Sequence, residues 1–491
     1  MRTSATRPLQ RAQAATRASR APASTEGMAK SLLRFLDASP SPFHAAAQCA
    51  TRLRAAGYQE LKESDAWNLS RGGKYFTMRN GSTLLAFAVG NKYEPGNGVC
   101  AIGAHTDSPC PKLKPISTQS KCGVKQLAVQ PYGGGLWYTW FDRDLGLAGR
   151  MLVRDKSGDN ADAKKLKHVL VHVDRPILRI PTLAIHLDRD VNSAGFKVDF
   201  QKHMPAVLAG DDPAGSNSNQ VLENGMPKQH WALLECLARE AGCAAEDIAD
   251  MELQLCDTVP GALGGLNEEF VFCGRLDNLC MSYLAIESLI DVTKSHEDLE
   301  EESTIRFVSL FDHEEVGSCS AQGAGSTVMM DTLRRIAAAL GGSQEGAVER
   351  CLQNSLLVSA DMAHAHHPNY MDRHEPEHAP IINKGVVIKH NANQRYATNS
   401  MSALLFREVA RENALPIQEF VVRSDMACGS TIGPIIAANS GMLTVDVGIP
   451  QLSMHSVREM CGVKDVDTTF EHFRYLYKDF ARLMKMVRGQ S

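Results

Sequence analysis

Short apolar runs separated by helical patterns are the feature that most constrains how this 491-residue chain can fold. The runs hold five to eight residues and are rich in Val, Ile and Leu, so they are interpreted as buried strands. Between them lie helical patterns, in which Leu279, Tyr283 and Ile286 share one face and a second face runs from Phe470 to Leu483. Alternating strands and helices predict an α/β layer architecture. The predicted strands are Thr83–Val89, Gly98–His105, Thr304–Phe311, Ser355–Ala360, Glu419–Arg423 and Met442–Gly448.

The pattern changes between Leu113 and Val259, and the length of the chain already suggests two or three domains. Short alternating runs such as KHVLVHV and FKVDF lie here among Pro and Gly residues. We therefore predict that residues 113–259 form a mainly-β domain inserted into a first domain of residues 28–112 and 260–491. The polar stretch AGDDPAGSNSNQ within the insertion is interpreted as a mobile loop.

The N-terminal residues 1–27 differ in composition from the rest of the chain. Before Glu26 they contain five Arg and no acidic residue, together with many Ala, Ser and Thr. This composition is typical of an organellar transit peptide, and the apolar core of a secretory signal is missing. The sequence therefore predicts a mitochondrial or plastid location, with an untargeted tail on a cytoplasmic protein as the alternative.

Composition excludes several classes of function. The net charge of -4 and the lack of a basic stripe argue against a nucleic-acid partner. No apolar run approaches the roughly 20 residues that cross a bilayer, so a membrane protein is not expected. The 13 Cys residues form no Cys-x-x-Cys pair and predict neither a disulfide framework nor a thiolate zinc site.

Polar side chains stand where several predicted strands end. His105 and Asp107 follow one strand, the adjacent Glu314 and Glu315 follow another, and Asp361 follows a third. In an open α/β sheet such carboxyl ends form the site of chemistry. Taken singly, such a residue is more often a capping, hydrogen-bonding or solvated loop residue than a metal ligand.

Together with Asp277 and His455, these residues match the needs of a two-metal hydrolase. Two His and three carboxylates supply the nitrogen and oxygen ligands that suit zinc. Two ions about 3.5 to 4 Å apart require a bridging ligand, for which an Asp is suited. Of the adjacent glutamates, one would bind a metal, and its neighbour would take the proton from the attacking water.

Five motifs, AHTDSP, GRLDNL, HEEVGS, SADMAHAHHPNY and MHSVRE, resemble in type and order those of the aspartyl aminopeptidases, which are dinuclear zinc exopeptidases. The resemblance runs from Met28 to the C-terminus. It implies a three-layer zinc-aminopeptidase-like catalytic domain with an inserted dimerisation domain. It also implies two Zn²⁺ per subunit. Because geometry and availability decide metal content, Mn²⁺ or Co²⁺ could replace zinc at one of the two positions.

The resemblance also assigns roles to individual residues. Asp277 would bridge the metals, His105 and Asp361 would complete one site, and Glu315 and His455 the other. Glu314 would be the general base, and Asp107 would orient His105. The peptide bond between Asp277 and Asn278 is expected to be cis.

Substrate recognition and assembly follow from the same resemblance. Lys389 would meet the side-chain carboxylate of an acidic N-terminal residue, and Tyr396 would shape the pocket. His186 would reach into the active site of a neighbouring subunit within a tetrahedral homododecamer. The alternatives are that Lys389 is an exposed lysine on a loop and that His186 lies on an ordinary strand.

Four other functions compete with an aspartyl aminopeptidase. A broad or glutamyl-type dinuclear zinc aminopeptidase would share the same metal ligands but not the acidic-substrate anchor at Lys389. A carboxypeptidase or deacylase is disfavoured by the insertion and the SADMAHAHHPNY motif, and a two-metal phosphoesterase by the lack of a phosphate-binding loop. An inactive scaffold particle is disfavoured because neither a ligand nor Glu314 is missing.

Overall fold

The computed structural model describes residues 27–155, 165–210, 229–341 and 346–488. The predicted transit peptide lies outside the described residues, apart from Gly27. The predicted mobile loop also lies outside them, apart from its first two residues.

Twenty strands and eleven α-helices occur in the described part of the chain. The strands are β1 (Gln59–Leu61), β2 (Lys74–Arg79), β3 (Thr83–Val89), β4 (Val99–His105), β5 (Cys110–Lys121), β6 (Val124–Tyr132), β7 (Leu145–Asp155), β8 (Lys165–Leu178), β9 (Ala206–Gly210), β10 (Ile248–Asp257), β11 (Ala262–Gly264), β12 (Phe270–Cys273), β13 (Ile305–Phe311), β14 (Leu356–Ala360), β15 (Ala363–His364), β16 (Val386–His390), β17 (Ile417–Val421), β18 (Leu443–Gly448), β19 (Pro450–Leu452) and β20 (Glu459–Gly462). The helices are α1 (Met28–Asp37), α2 (Pro42–Ala55), α3 (Val191–Ala194), α4 (Trp231–Ala241), α5 (Leu276–Asp291), α6 (Glu297–Glu300), α7 (Val328–Ala339), α8 (Ala347–Gln353), α9 (Ser400–Glu412), α10 (Ile432–Ser440) and α11 (Val463–Arg488).

A nine-stranded sheet in the order β1-β2-β3-β13-β4-β14-β18-β16-β17 organises the larger part of the chain. Its central strands β13, β4, β14 and β18 run parallel. Every residue of β4 and β13 is buried, as expected for parallel strands covered on both faces.

Helices cover both faces of this sheet. Residues of α1, α2, α5, α9 and α11 pack on one face around Val308 and Ile102. Residues of α7, α8 and α10 pack on the other face around Phe307 and Ala101. The result is a layer of helices, a sheet and a second layer of helices, and the predicted α/β class is confirmed.

A second, antiparallel sheet has the order β8-β7-β10-β5-β6-β9 and is built only from residues between Cys110 and Asp257. It has its own apolar core, in which Leu147 and Leu255 of the sheet pack with Leu233 and Leu237 of α4. A third, five-stranded sheet, β11-β12-β20-β19-β15, lies in the part of the chain that also forms the nine-stranded sheet. Along the described residues, no helix combines the length and the apolar character needed to span a membrane.

Five predicted strands match observed strands to within one residue, whereas the sixth is displaced. The strand predicted at Glu419–Arg423 begins two residues earlier, as β17 (Ile417–Val421). Strand β16 (Val386–His390) was not predicted, although four of its five residues are buried.

Candidate metal centre

The ends of three neighbouring parallel strands bring the first polar side chains together. His105 is the last residue of β4 and lies opposite Phe311, the last residue of β13. Because Glu314 and Glu315 follow β13 directly, they lie beside His105. Strand β14 pairs with β4 through Ser359 and Gly103, which places Asp361 at the same level.

Asp277 reaches this cluster from the first turn of α5. Its carbonyl accepts a hydrogen bond from Ser108 Oγ at 2.6 Å. The side-chain amide of the next residue, Asn278, donates to the Ala360 carbonyl at 2.8 Å. The bond between Asp277 and Asn278 is cis, in agreement with the expectation from the motifs. These two hydrogen bonds fix the start of α5 against β14 and against the segment that follows β4.

The carboxylate of Asp277 lies between two imidazoles. Its Oδ1 is 3.4 Å from His105 Nε2, and its Oδ2 is 3.2 Å from His455 Nε2. His105 Nε2 is also 3.7 Å from Asp361, and His455 Nε2 is 3.5 Å from Glu315. Each imidazole thus faces Asp277 and at least one further carboxylate.

These distances fit zinc. Two ligand atoms on a tetrahedral zinc with bonds of 2.0–2.1 Å lie about 3.3–3.4 Å apart. The structure contains two such groups that share Asp277, and all ligand atoms within a group lie within 4.8 Å of one another. A third group, His105 with Glu314 and Glu315, meets the same distance limit, so Glu314 lies close to the ligands without belonging to either group that contains Asp277. The groups that share Asp277 are His105, Asp277 and Asp361, and Asp277, Glu315 and His455.

Buried oxygens in the cluster lack a hydrogen-bond donor among the described residues. Asp277 Oδ1 and Glu315 Oε1 are both in this state. A buried carboxylate oxygen without a hydrogen-bond donor costs free energy, and a bound cation would offset that cost. The donor set therefore fits the zinc ions implied by the motifs.

The charges in the cluster shift its pKa values in the direction expected for a cation site. Burial opposes protonation of His455, yet the hydrogen bond to Asp277 and the charge of Glu315 raise its pKa to about 10. Burial raises the pKa of Glu315 well above its usual range, and the charge of Asp277 raises it further. Without a cation, this cluster therefore binds protons, which a metal would displace.

Glu314 has the position of a proton acceptor. Its side chain is 14% exposed, and its Oε2 lies 3.9 Å from His105 Nε2. Burial and the charges of Asp361 and Asp107 raise its pKa to about 8, although His105 acts in the opposite direction.

Asp107 lies behind the cluster and holds two parts of it in place. Its carbonyl accepts a hydrogen bond from His105 Nδ1 at 3.0 Å, and its Oδ1 lies 3.3 Å from the same nitrogen. Its carboxylate also accepts the backbone N–H groups of Glu314 and Glu315, each at 3.1 Å. One carboxylate therefore orients the imidazole and shapes the turn that carries the two glutamates.

The cluster forms one wall of an open cavity of about 570 Å³. Lys389 and Tyr396 line another part of it. Lys389 lies on β16, is only 3% exposed, and places Nζ 3.6 Å from Asp361 Oδ2 and 5.4 Å from the Tyr396 ring centre. The alternative of an exposed lysine on a loop is therefore wrong.

His186 is not brought to this cavity. It is exposed on a short 3-10 turn, Ile185–Leu187, and does not line the cavity of its own chain. The alternative that placed it on an ordinary strand is wrong, and its role in a neighbouring subunit stays a prediction.

A family model described as Aminopeptidase I zinc metalloprotease (M18) matches residues 35–477. The chain belongs to the M18 aminopeptidase family. Within this family of zinc metalloproteases, the two groups that share Asp277 are the candidate metal centre.

Relatives of this M18 aminopeptidase match it over nearly its whole length. The "Probable aspartyl aminopeptidase" of Ricinus communis is 52% identical over 480 residues, covering 94% of this chain and 97% of that protein. The "Aspartyl aminopeptidase" of Dictyostelium discoideum is 46% identical over 477 residues, covering 93% and 97%. The solved structure of the S. cerevisiae mApe1 dodecamer is 31% identical, with a TM-score of 0.81 and coverage of 94% of this chain and 98% of that chain.

Sequence reasoning missed two residues at the site of this M18 aminopeptidase. Glu459 is buried and accepts the backbone N–H groups of His455 at 2.8 Å and Asp277 at 3.1 Å. His364 lines the cavity, where burial and the charge of Lys389 lower its pKa to about 4. Glu459 lies in the motif MHSVRE and His364 in SADMAHAHHPNY, so membership of these motifs could have identified both residues as part of the site.

Proposed function

We propose that this M18 aminopeptidase is an aspartyl aminopeptidase, which hydrolyses the first peptide bond of peptides that begin with Asp or Glu. The names of the Ricinus and Dictyostelium relatives support the substrate class. Metal-dependent peptide hydrolysis is supported by one observation: Asp277 lies between the imidazoles of His105 and His455, and Glu314 lies beside them.

The two groups of ligands would hold two zinc ions. Asp277 would bridge them, with His105 and Asp361 on one ion and Glu315 and His455 on the other. When bound, the ions would activate a water molecule and polarise the scissile carbonyl. Mn²⁺ or Co²⁺ would replace zinc at one of the positions, since availability as well as affinity decides metal content.

The proton transfers belong to Glu314. A carboxylate placed beside the metal ligands, but not needed as a ligand itself, can accept a proton and give it up again within one catalytic cycle. Glu314 takes the proton from the attacking water and passes it to the departing amine. Asp107 keeps Glu314 in reach by holding the backbone of its turn.

Specificity for an acidic first residue comes from Lys389. Its buried ammonium group is the one lysine or arginine charge among the described residues that line the cavity, so it is the group best suited to bind a substrate carboxylate. Tyr396, whose ring lies beside Lys389, limits the depth of this pocket. A broad aminopeptidase remains the alternative and would use the same metals without this pairing.

Assembly into a tetrahedral dodecamer would complete the enzyme. The S. cerevisiae dodecamer supports this proposal, and so does the exposure of Leu183, Ile185 and Leu187 around His186. The second sheet, with its own core, would be the inserted dimerisation domain of residues 113–259. His186 would then contact the substrate in a neighbouring subunit.

From the composition of residues 1–27, we further propose import into a mitochondrion or plastid.

A panel of chromogenic amides tests the substrate class. The protein starting at Met28 is assayed with aspartyl, glutamyl and leucyl amides, with and without a chelator. We expect the acidic amides to be cleaved fastest and the chelator to abolish cleavage. Faster cleavage of leucyl amide would favour the broad aminopeptidase, and no cleavage with any added metal would favour the scaffold particle.

A further inference from the structure

A segment that leaves the second sheet touches the candidate metal centre directly. Residues 132–139, with the sequence YGGGLWYT, begin at the last residue of β6 and form what we term the glycine segment. Its contacts reach two parts of the centre that lie far from it in sequence. The first part is Asp107 together with the turn of Glu314 and Glu315 that it holds, and the second is the backbone around His455.

Tyr132 binds the carboxylate that holds this turn. Its hydroxyl donates to Asp107 Oδ2 at 2.6 Å, the same oxygen that accepts the Glu315 N–H. Hydrogen bonds to charged groups are the stronger kind and fix geometry as well as adding stability. Tyr132 therefore fixes the rotation of the Asp107 carboxylate, and with it the backbone that carries Glu314 and Glu315.

Gly134 determines which nitrogen of His455 faces the metal ligands. His455 Nδ1 lies 2.9 Å from the Gly134 carbonyl oxygen, and a carbonyl can only accept a hydrogen bond. The proton of a neutral His455 is therefore on Nδ1, and Nε2 keeps its lone pair toward Asp277. Such a partner on the second ring nitrogen is the usual support of a metal-binding histidine.

Two backbone contacts hold His455 from either side. The Leu136 N–H donates to the His455 carbonyl at 2.9 Å, and Thr139 Oγ1 accepts the Val457 N–H at 3.0 Å. His455 itself has a φ of 65°, a left-handed conformation that a non-glycine residue adopts only when its surroundings enforce it.

The glycine at position 133 fits this close approach. Its φ is +76°, and a Cβ built there would lie 3.1 Å from the Cβ of Glu315. A larger residue would therefore both strain the backbone and press on Glu315.

We propose that Tyr132 and the Gly134 carbonyl are positioning groups of the metal centre, so that the second sheet completes the catalytic site of its own chain. This proposal rests on the proposed function, because it concerns the same metal ligands. The insertion then has a catalytic role in addition to any role in assembly.

The test compares Y132F with the control Y138F, which removes the same hydroxyl from a 57% exposed residue of the same segment. Zinc affinity is measured by competition with a chromogenic chelator, and kcat and KM are measured with aspartyl amide. We expect Y132F to weaken zinc binding about tenfold and to lower kcat, with KM changed less than about twofold. Y138F is expected to match the wild type in all three.

The proposal would be overturned if Y132F had the same zinc affinity and kcat as the wild type. It would also be overturned if Y132F and Y138F lost zinc affinity and kcat to the same extent. Circular dichroism establishes that both variants are folded. If the wild type binds zinc but cleaves none of the amides, the proposed function fails, while the zinc affinities of the two variants still decide this inference.

Discussion

Replacing Lys389 with methionine is predicted to remove the preference for acidic substrates. The side chain is 3% exposed on β16, so a substrate carboxylate paired with it would be screened little by water. Removing one partner of a buried charge pair costs about 2 to 5 kcal/mol. At 1.4 kcal/mol per tenfold change, kcat/KM for aspartyl amide should fall about 30- to 4,000-fold in K389M.

An uncharged analogue of the substrate provides a control for the loss of the charge pair. Asparaginyl amide has nearly the shape of aspartyl amide without its charge, so K389M should change its kcat/KM less than about fivefold, because no charge pair is lost. The matched control variant is K384M, which removes an exposed lysine shortly before the same strand. It should leave kcat/KM unchanged for both aspartyl and asparaginyl amide. Since Lys389 also lies 3.6 Å from Asp361, the zinc content of K389M is measured alongside. An unchanged ratio of aspartyl to asparaginyl cleavage in K389M would refute the assignment.

Three further predictions concern the hydrogen bonds that hold the metal ligands, the pH dependence of stability and the location of the enzyme in the cell. E459Q keeps only one acceptor oxygen for the N–H groups of His455 and Asp277, so its zinc affinity should fall about 10- to 100-fold in a chelator competition; unchanged affinity would contradict this role. Burial lowers the pKa of His472 to about 3, below its ordinary value of 6.5, so the unfolded state binds the proton more readily and stability is lost as pH falls below 6.5. Urea unfolding should therefore show about 2 kcal/mol less stability at pH 5 than at pH 6.5 from this group, a difference that H472F should remove. Residues 1–27 fused to a fluorescent protein should direct it to an organelle, and replacing the five Arg with Gln should leave it in the cytoplasm.

Strand ends account for three of the five predicted metal ligands, and the structure brings all five side chains together. His105, Glu315 and Asp361 each follow an apolar run that could be identified without a structure, and parallel strands bring their carboxyl ends to one edge. Asp277 and His455 lie outside the central strands, so their place in the set depended on their donor types and on the motif resemblance.

The remaining parts of the site depend on contacts between distant segments. Glu459 lies within the MHSVRE motif, but only the fold shows that it is buried against two backbone N–H groups. The contact between Gly134 and His455 joins residues 321 positions apart, so no local pattern could indicate it. Lys389 was predicted as a substrate contact, but its burial depends on β16, a short strand whose place in the sheet is set by β17 and β18.

The most direct test of the account is the zinc content and turnover of E314Q beside the wild type. The substitution keeps the size of the side chain and leaves the five ligands in place, but an amide cannot accept the proton from water. We predict that E314Q binds two zinc ions per subunit, as the wild type does, while kcat for aspartyl amide falls by at least about 10²-fold. Wild-type turnover in E314Q with its zinc in place would contradict Glu314 as the general base, and fewer than two zinc ions in both proteins would contradict the dinuclear centre.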